Sequence, residues 1–161
     1  MLEIYRGECR LLALRGPWLY PIFLLFRLFE LLGASGLRPA NSDGERLNVV
    51  DSRVGQAAVF LYAQLGITTV HAVVASRLAL ERASALGVTL TYEQLLPELP
   101  CKTEALLSPV RDPAEAVALL RRRLSDPFLS DPGSVVELDA ASDPQLEAAT
   151  RRALEQPYAD R

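Results

Sequence analysis

The sequence predicts an α/β layer fold: an antiparallel hairpin opens the chain and joins a mostly parallel sheet flanked by helices. Three observations carry this. Leu47 to Tyr92 reads strand–helix–strand–helix–strand, the alternation that implies parallel strands with helical crossovers. Both helices in that run leave through nearly the same sequence, Leu65-Gly66-Ile67-Thr68-Thr69 and Leu86-Gly87-Val88-Thr89-Leu90. In each, a glycine able to take the left-handed conformation stops an apolar helical face and a β-branched strand follows. Upstream, Arg15-Gly16-Pro17 is a turn signal between two short apolar segments.

The bounds agree. A chain of 161 residues, half of them hydrophobic and 23% charged, is long enough for one stable core with a modest appendage. A net charge of −3 supplies no general field for nucleic acid or anionic membranes. Cys9 and Cys101 stand far apart and no secretory leader is read, so a disulfide framework is not expected and a reducing cytoplasm is the expected compartment. The apolar stretch Leu19 to Leu32 is 14 residues long and carries Arg27 and Glu30. A spanning helix needs roughly 20 apolar residues, so no membrane segment is read here.

In order, Cys9 to Leu14 and Trp18 to Tyr20 are expected to pair as a hairpin around Gly16-Pro17. A buried amphipathic helix follows from about Ile22 to Leu32, closing at Gly33, with Arg27 and Glu30 paired at i, i+3 on its wet edge. Its apolar residues cover more of the circumference than one core face uses, so either the chain's tail or a second copy should pack over it. Residues 34–46 have surface-loop composition.

Leu47 to Val50 reads as a buried strand ending at Asp51, followed by a helix with its stripe at Val54, Ala57, Ala58, Leu61 and Leu65. Gly55 in the first turn of that helix suggests close backbone packing or ligand approach. Thr69 to Ala75 is the next strand, Ser76 caps a helix to about Leu86, and Val88 to Tyr92 is the last core strand. Asp112-Pro113-Ala114-Glu115 is a helix start running to about Leu124, with Arg121, Arg122 and Arg123 at its negative end. Beyond Pro127 and Pro132, a strand from Val135 to Leu138 and a helix from Pro144 to about Leu154 form an extension. Residues 1–125 are thus expected as the α/β domain, with 126–161 packed on it.

In parallel sheets, ligands bind beyond the carboxyl ends of the strands, against the free N–H groups of helix N-termini. That line holds Asp51, Ser52, Arg53 and Gly55 after one strand, and Ser76 and Arg77 after the next. Asp51 and Ser76 can equally be plain helix caps, which need no ligand.

Val49-Val50-Asp51-Ser52-Arg53-Val54-Gly55-Gln56-Ala57-Ala58 resembles the central signature of a small uncharacterised prokaryotic family with a three-layer cytidine-deaminase-like fold. Cys101-Lys102-Thr103-Glu104 and Asp112-Pro113-Ala114-Glu115-Ala116 are similar to its closing segments. The resemblance covers about Glu8 to Leu124 and implies Asp51, Gly55, Cys101 and Glu104 as family positions. Ser52 and then Arg53 stand where the family usually has a lysine after the aspartate, and the linker before Cys101 is shorter.

A zinc deaminase needs His-x-Glu and Pro-Cys-x-x-Cys. His71-Ala72-Val73 lacks the glutamate, and Pro100-Cys101 is followed by Glu104 where the second cysteine belongs. His71 falls inside an alternating strand as a core or cross-strand residue. No metal and no cofactor are expected. Cys101 and Glu104 remain candidate catalytic groups. A thiol beside Lys102 with a nearby carboxylate suits a nucleophile, and a cysteine plugging a gap under the loop is the plainer alternative.

Two functions fit. One is a zinc-free, deaminase-fold domain binding a small polar or anionic, nucleotide-like ligand through Asp51, Ser52, Arg53, Gly55, Ser76 and Arg77, with Cys101 and Glu104 closing the site. The other is an inert protein-interaction or regulatory domain with a vestigial site, its partner surface lying on the helix around Phe23, Phe26 and Phe29 or on the C-terminal helix. A homodimer is compatible with either, and nucleic acid is not an expected partner.

Overall fold

The computed structural model describes residues 1–32, 37 and 44–158, which form a mixed α/β structure. The chain divides into two compact units, Met1–Leu47 with Leu124–Arg161, and Asn48–Arg123. One crossing lies close to the expected boundary at 125; the first 47 residues group with the tail.

The first unit begins with β1 (Leu2–Arg6) and β2 (Cys9–Arg15), paired antiparallel with Leu2 opposite Leu14 and Arg6 opposite Cys9. The hairpin therefore turns at Gly7-Glu8, not at Gly16-Pro17. Gly7 takes φ +58°, a conformation that suits glycine at a two-residue loop. The expected second strand, Trp18 to Tyr20, is instead the entry to α1 (Tyr20–Leu32). Trp18 turns the chain with φ +52°, and the Leu19 carbonyl accepts from the Ile22 and Phe23 N–H groups at 3.0 Å, which commits the backbone to a helix. The expected closure at Gly33 and most of the loop 34–46 lie outside the described residues.

The second unit holds β3 (Leu47–Val54), α2 (Gln56–Gln64), β4 (Thr69–Ser76), α3 (Arg77–Leu86), β5 (Thr89–Leu96), α4 (Lys102–Leu107) and α5 (Pro113–Arg121). Its strands are parallel with β4 central: Val49 lies opposite Val70, and Val70 opposite Leu90. The two helix exits match in geometry as well as in sequence. Gly66 and Gly87 take φ +76° and +73°. Ile67 donates to the Tyr62 carbonyl and Val88 to the Ala83 carbonyl, both at 2.9 Å, each closing the same capping ring.

Helix α2 is buried from Gln56 through Tyr62, and α3, α4 and α5 all pack on it. A helix apolar on all sides belongs in a core, where each large side chain contributes about 1.5–3 kcal/mol. The start of α5 follows its sequence, with Asp112 capping the Glu115 N–H at 3.1 Å and Pro113 in the first turn.

The tail completes the first unit with α6 (Asp126–Ser130), β6 (Glu137–Ala141) and α7 (Pro144–Glu155). Strand β6 pairs antiparallel with β2, and α7 packs against α1. Tyr158 donates its hydroxyl to the Phe23 carbonyl at 3.3 Å, and Phe128 lies between the Tyr20 and Tyr158 rings. The tail is thus the cover that α1 called for. Arg27 reaches it too, donating to the Pro157 carbonyl at 2.6 Å, so its partner is a chain-end carbonyl where an i, i+3 pair with Glu30 was expected. Among the described residues no helix is long and apolar enough to cross a membrane.

Candidate functional site

Strand β3 runs three residues past its expected end at Asp51. Gly55, extended at φ −96° and ψ 178°, is the residue before α2. Asp51, Ser52 and Arg53 therefore sit inside a strand and cap nothing. The alternation Leu47, Val49, Asp51 keeps Asp51 on the buried face, where it is only 9% exposed. Its Oδ2 accepts the Tyr62 hydroxyl from α2 at 2.6 Å, and its Oδ1 accepts the Arg53 N–H at 3.3 Å. Burial raises the Asp51 carboxyl to about 6, against the lowering effect of these hydrogen bonds. Burial and the neighbouring Asp51 carboxylate likewise push the Tyr62 phenol well above its ordinary value. Ser52 is half-buried, and the Arg53 and Arg77 side chains are exposed.

The convergence point is Glu104, 5% exposed on the short helix α4. Its Oε1 accepts the backbone N–H of Gln56, in the first turn of α2, at 3.3 Å. The same oxygen accepts the Ser76 hydroxyl at 2.5 Å, while Oε2 accepts the Leu99 N–H at 3.2 Å. Ser76 closes β4 and caps α3, accepting the Ala79 N–H at 3.0 Å. Gln56, 1% exposed, also donates its side-chain amide to the Glu104 carbonyl at 2.5 Å. The carboxylate thus lies at the starts of two helices, where the free N–H groups and the helix dipoles favour negative charge. Gly55 is what lets it approach: a Cβ there would stand 2.9 Å from Oε1 and 3.3 Å from the Leu99 Cδ1.

Of the eight residues read from the sequence, Gly55, Ser76 and Glu104 meet at this point. Asp51 is engaged separately with Tyr62. Arg53 and Arg77 lie at the same end of adjacent parallel strands. Cys101 is exposed at the start of α4, its Sγ 2.6 Å from the Thr103 hydroxyl, which corrects the reading of a cysteine plugging a gap. Gln56 and Tyr62 were missed. Their only signal was polar atoms inside the otherwise apolar run from Val54 to Tyr62, which a buried helix must satisfy.

His71 is a cross-strand residue: its Nδ1 lies 2.8 Å from the Thr91 hydroxyl and its Nε2 3.6 Å from Glu93. Among the described residues, no three His, Cys, Asp or Glu side chains are grouped to hold a metal ion.

In the crystal structure of a DUF1893 family protein (TM1506) from Thermotoga maritima, the matched chain is 21% identical to this one with a TM-score of 0.60. The match covers 76% of this chain and 80% of that one, and at this identity it speaks for the fold alone. None of the curated proteins matches. The sequence profile of the domain of unknown function DUF1893 (TM1506) matches residues 40–124, more than half of the chain and the whole of the second unit's strand–helix run, and the chain belongs to that family.

Proposed function

We propose that this chain is a non-catalytic interaction or regulatory domain, a zinc-free variant of the cytidine-deaminase-like architecture whose strand-end anion site is filled from within. The observation that carries this reading is the engagement of Glu104 by the Gln56 N–H, the Ser76 hydroxyl and the Leu99 N–H. Those are the donors an anionic ligand would use, and a buried carboxylate so satisfied is costly to displace. The order hairpin, helix, then alternating parallel strands and helices supports the architecture. A donor inventory of one histidine and two cysteines supports the absence of a deaminase-type zinc site.

The exposed guanidinium residues Arg53 and Arg77, at neighbouring strand ends, favour a second reading in which a small polar or nucleotide-like anion binds there and draws Glu104 out. A thermal-shift screen with nucleotides and phosphorylated metabolites separates the two. A filled site gives no shift in the native chain. Stabilisation growing with ligand concentration, and lost in an Arg53→Ala, Arg77→Ala double variant, overturns the filled-site reading.

A further inference from the structure

Helices α3 and α5 both pack on α2, and each brings an arginine to that contact. Arg82, midway along α3, lays its guanidinium over the Phe60 ring of α2, 4.8 Å from the ring centre. Phe60 is fully buried, so this cation rests on a rigid wall of the core. Its Nε is buried without an acceptor, and its terminal nitrogens make no hydrogen bond among the described residues.

Arg111 is exposed in the turn between α4 and α5. Its Nη1 donates to the Ser108 carbonyl at 2.7 Å and to the Val110 carbonyl at 3.0 Å. Those bonds fix the guanidinium and leave Nε and Nη2 unengaged. The two cations feel each other: burial first, and then the Arg111 charge, hold Arg82 below its ordinary value, while Glu81 acts the other way.

Long exposed side chains of like charge normally drift apart into water, since nothing holds them together. Here the ring face holds one and the two carbonyls hold the other. Among the described residues neither guanidinium forms an ion pair, Glu81 included, and Asp112 is committed to capping the Glu115 N–H. Ordering the side chains, a main cost of binding through arginine, is thus met before any ligand arrives. Two such forks with open donors suit a tetrahedral oxyanion carrying two negative charges, which can accept from both at once. A carboxylate has too little charge and too few oxygens to do so.

We propose that Arg82 and Arg111 form an anion site that takes a phosphate group between them. Arg82 lies more than one turn along α3 from Arg77, so this site is separate from the strand ends and does not depend on what fills them.

Calorimetric titration of the full chain with inorganic phosphate, in chloride buffer of constant ionic strength, tests it. One saturable site per chain is expected, with sulfate competing and acetate failing to compete. Arg111→Gln, at an exposed position, should weaken binding by about tenfold or more, the effect of losing charge-assisted hydrogen bonds. Arg82→Gln should do likewise, with the far-ultraviolet dichroism unchanged in both variants. The Arg53→Ala, Arg77→Ala double variant should bind phosphate as the native chain does, and any thermal shift with phosphate that survives in it reports this site. Repeating the titration with O-phosphoserine identifies the source: tighter binding assigns a phosphate borne on a larger ligand, weaker binding assigns the free ion, and either upholds the site. No saturable binding of phosphate, or binding unchanged in Arg111→Gln, overturns the proposal. So does binding lost in the Arg53, Arg77 double variant, which would move the anion to the strand ends.

Discussion

Ser76 donates its hydroxyl to Glu104 Oε1 at 2.5 Å while accepting the Ala79 N–H at 3.0 Å, so one serine joins the cap of α3 to the carboxylate at the start of α2. Its two roles are separable. Ser76→Ala removes both and should cost about 1–2 kcal/mol, the usual loss for a cap together with a buried hydrogen bond. Ser76→Asp keeps an N-cap acceptor but sets a second carboxylate against Glu104. If Glu104 is the buried acceptor described here, the aspartate variant should be less stable than the alanine variant in chemical unfolding.

Removing the carboxylate is more severe. Glu104→Ala leaves the Gln56 N–H, the Ser76 hydroxyl and the Leu99 N–H without their acceptor in a buried place. A loss of about 3 kcal/mol follows from stranding such donors, equivalent to roughly 6–12 °C in Tm for a chain of this size. A thermal melt shifted by less than about 2 °C would show that the donors find other acceptors.

Gly55 ties backbone to site. Gly55→Ala places a Cβ 2.9 Å from Glu104 Oε1, and an oxygen held by hydrogen bonds gives way only with loss. About 1–3 kcal/mol of destabilisation is expected. In the Glu104→Ala background the same change should cost much less, since the clash is gone. The double-mutant cycle measures that difference, and strict additivity would assign the cost of Gly55→Ala to backbone conformation instead.

How far this site could be read in advance depends on the range of the contacts. Gly66 and Gly87 were legible because a left-handed helix exit is a local requirement that few other residues meet. The start of α5 was legible for the same reason, its cap being contained in four consecutive residues. The run-on of β3 was not. Asp51-Ser52-Arg53 has turn chemistry, and only the Tyr62 hydroxyl, eleven residues away on α2, makes a buried aspartate tolerable in a strand. Glu104 was legible as a candidate, but its buried contacts lay further beyond reach. Leu99 is five residues away, but the donors Gln56 and Ser76 are 48 and 28 residues distant, and α4 itself carries too little periodicity in six residues to announce a helix. Strand β1 was overlooked because Gly7-Glu8 is a weaker written turn than Gly16-Pro17, though its alternation of Leu2 and Ile4 is clear.

Asp51 should leave a signature in the pH dependence of stability. Its folded carboxyl is raised to about 6, above the ordinary value near 3.9, so the folded state binds this proton more tightly than the unfolded chain does. The stabilisation this gives is complete below about pH 4 and is lost as the pH rises toward about 6, beyond which the cost of the buried charge is constant. Asp51→Asn carries no such proton and keeps a carbonyl to accept from Tyr62. Its stability should therefore vary less than the native chain's between pH 4 and 6, as urea midpoints measured across that window would reveal. A native-like slope in the variant would place the titration elsewhere.

Cys101 separates a reactive site from a passive one. Its exposure means a thiol reagent can reach it in the folded chain, and Cys101→Ser should change stability by less than about 0.5 kcal/mol. Accessibility alone does not make a nucleophile, so the rate is what matters. Glu104, three residues on, is already committed to the Gln56 N–H, the Ser76 hydroxyl and the Leu99 N–H. With Glu104 so engaged, Cys101 in a Cys9→Ala variant should be modified no faster than an exposed cysteine in an unstructured peptide. A rate more than about tenfold faster, or one that falls tenfold on replacing Glu104 with glutamine, would instead mark a thiolate activated from this site and reopen the case for catalysis.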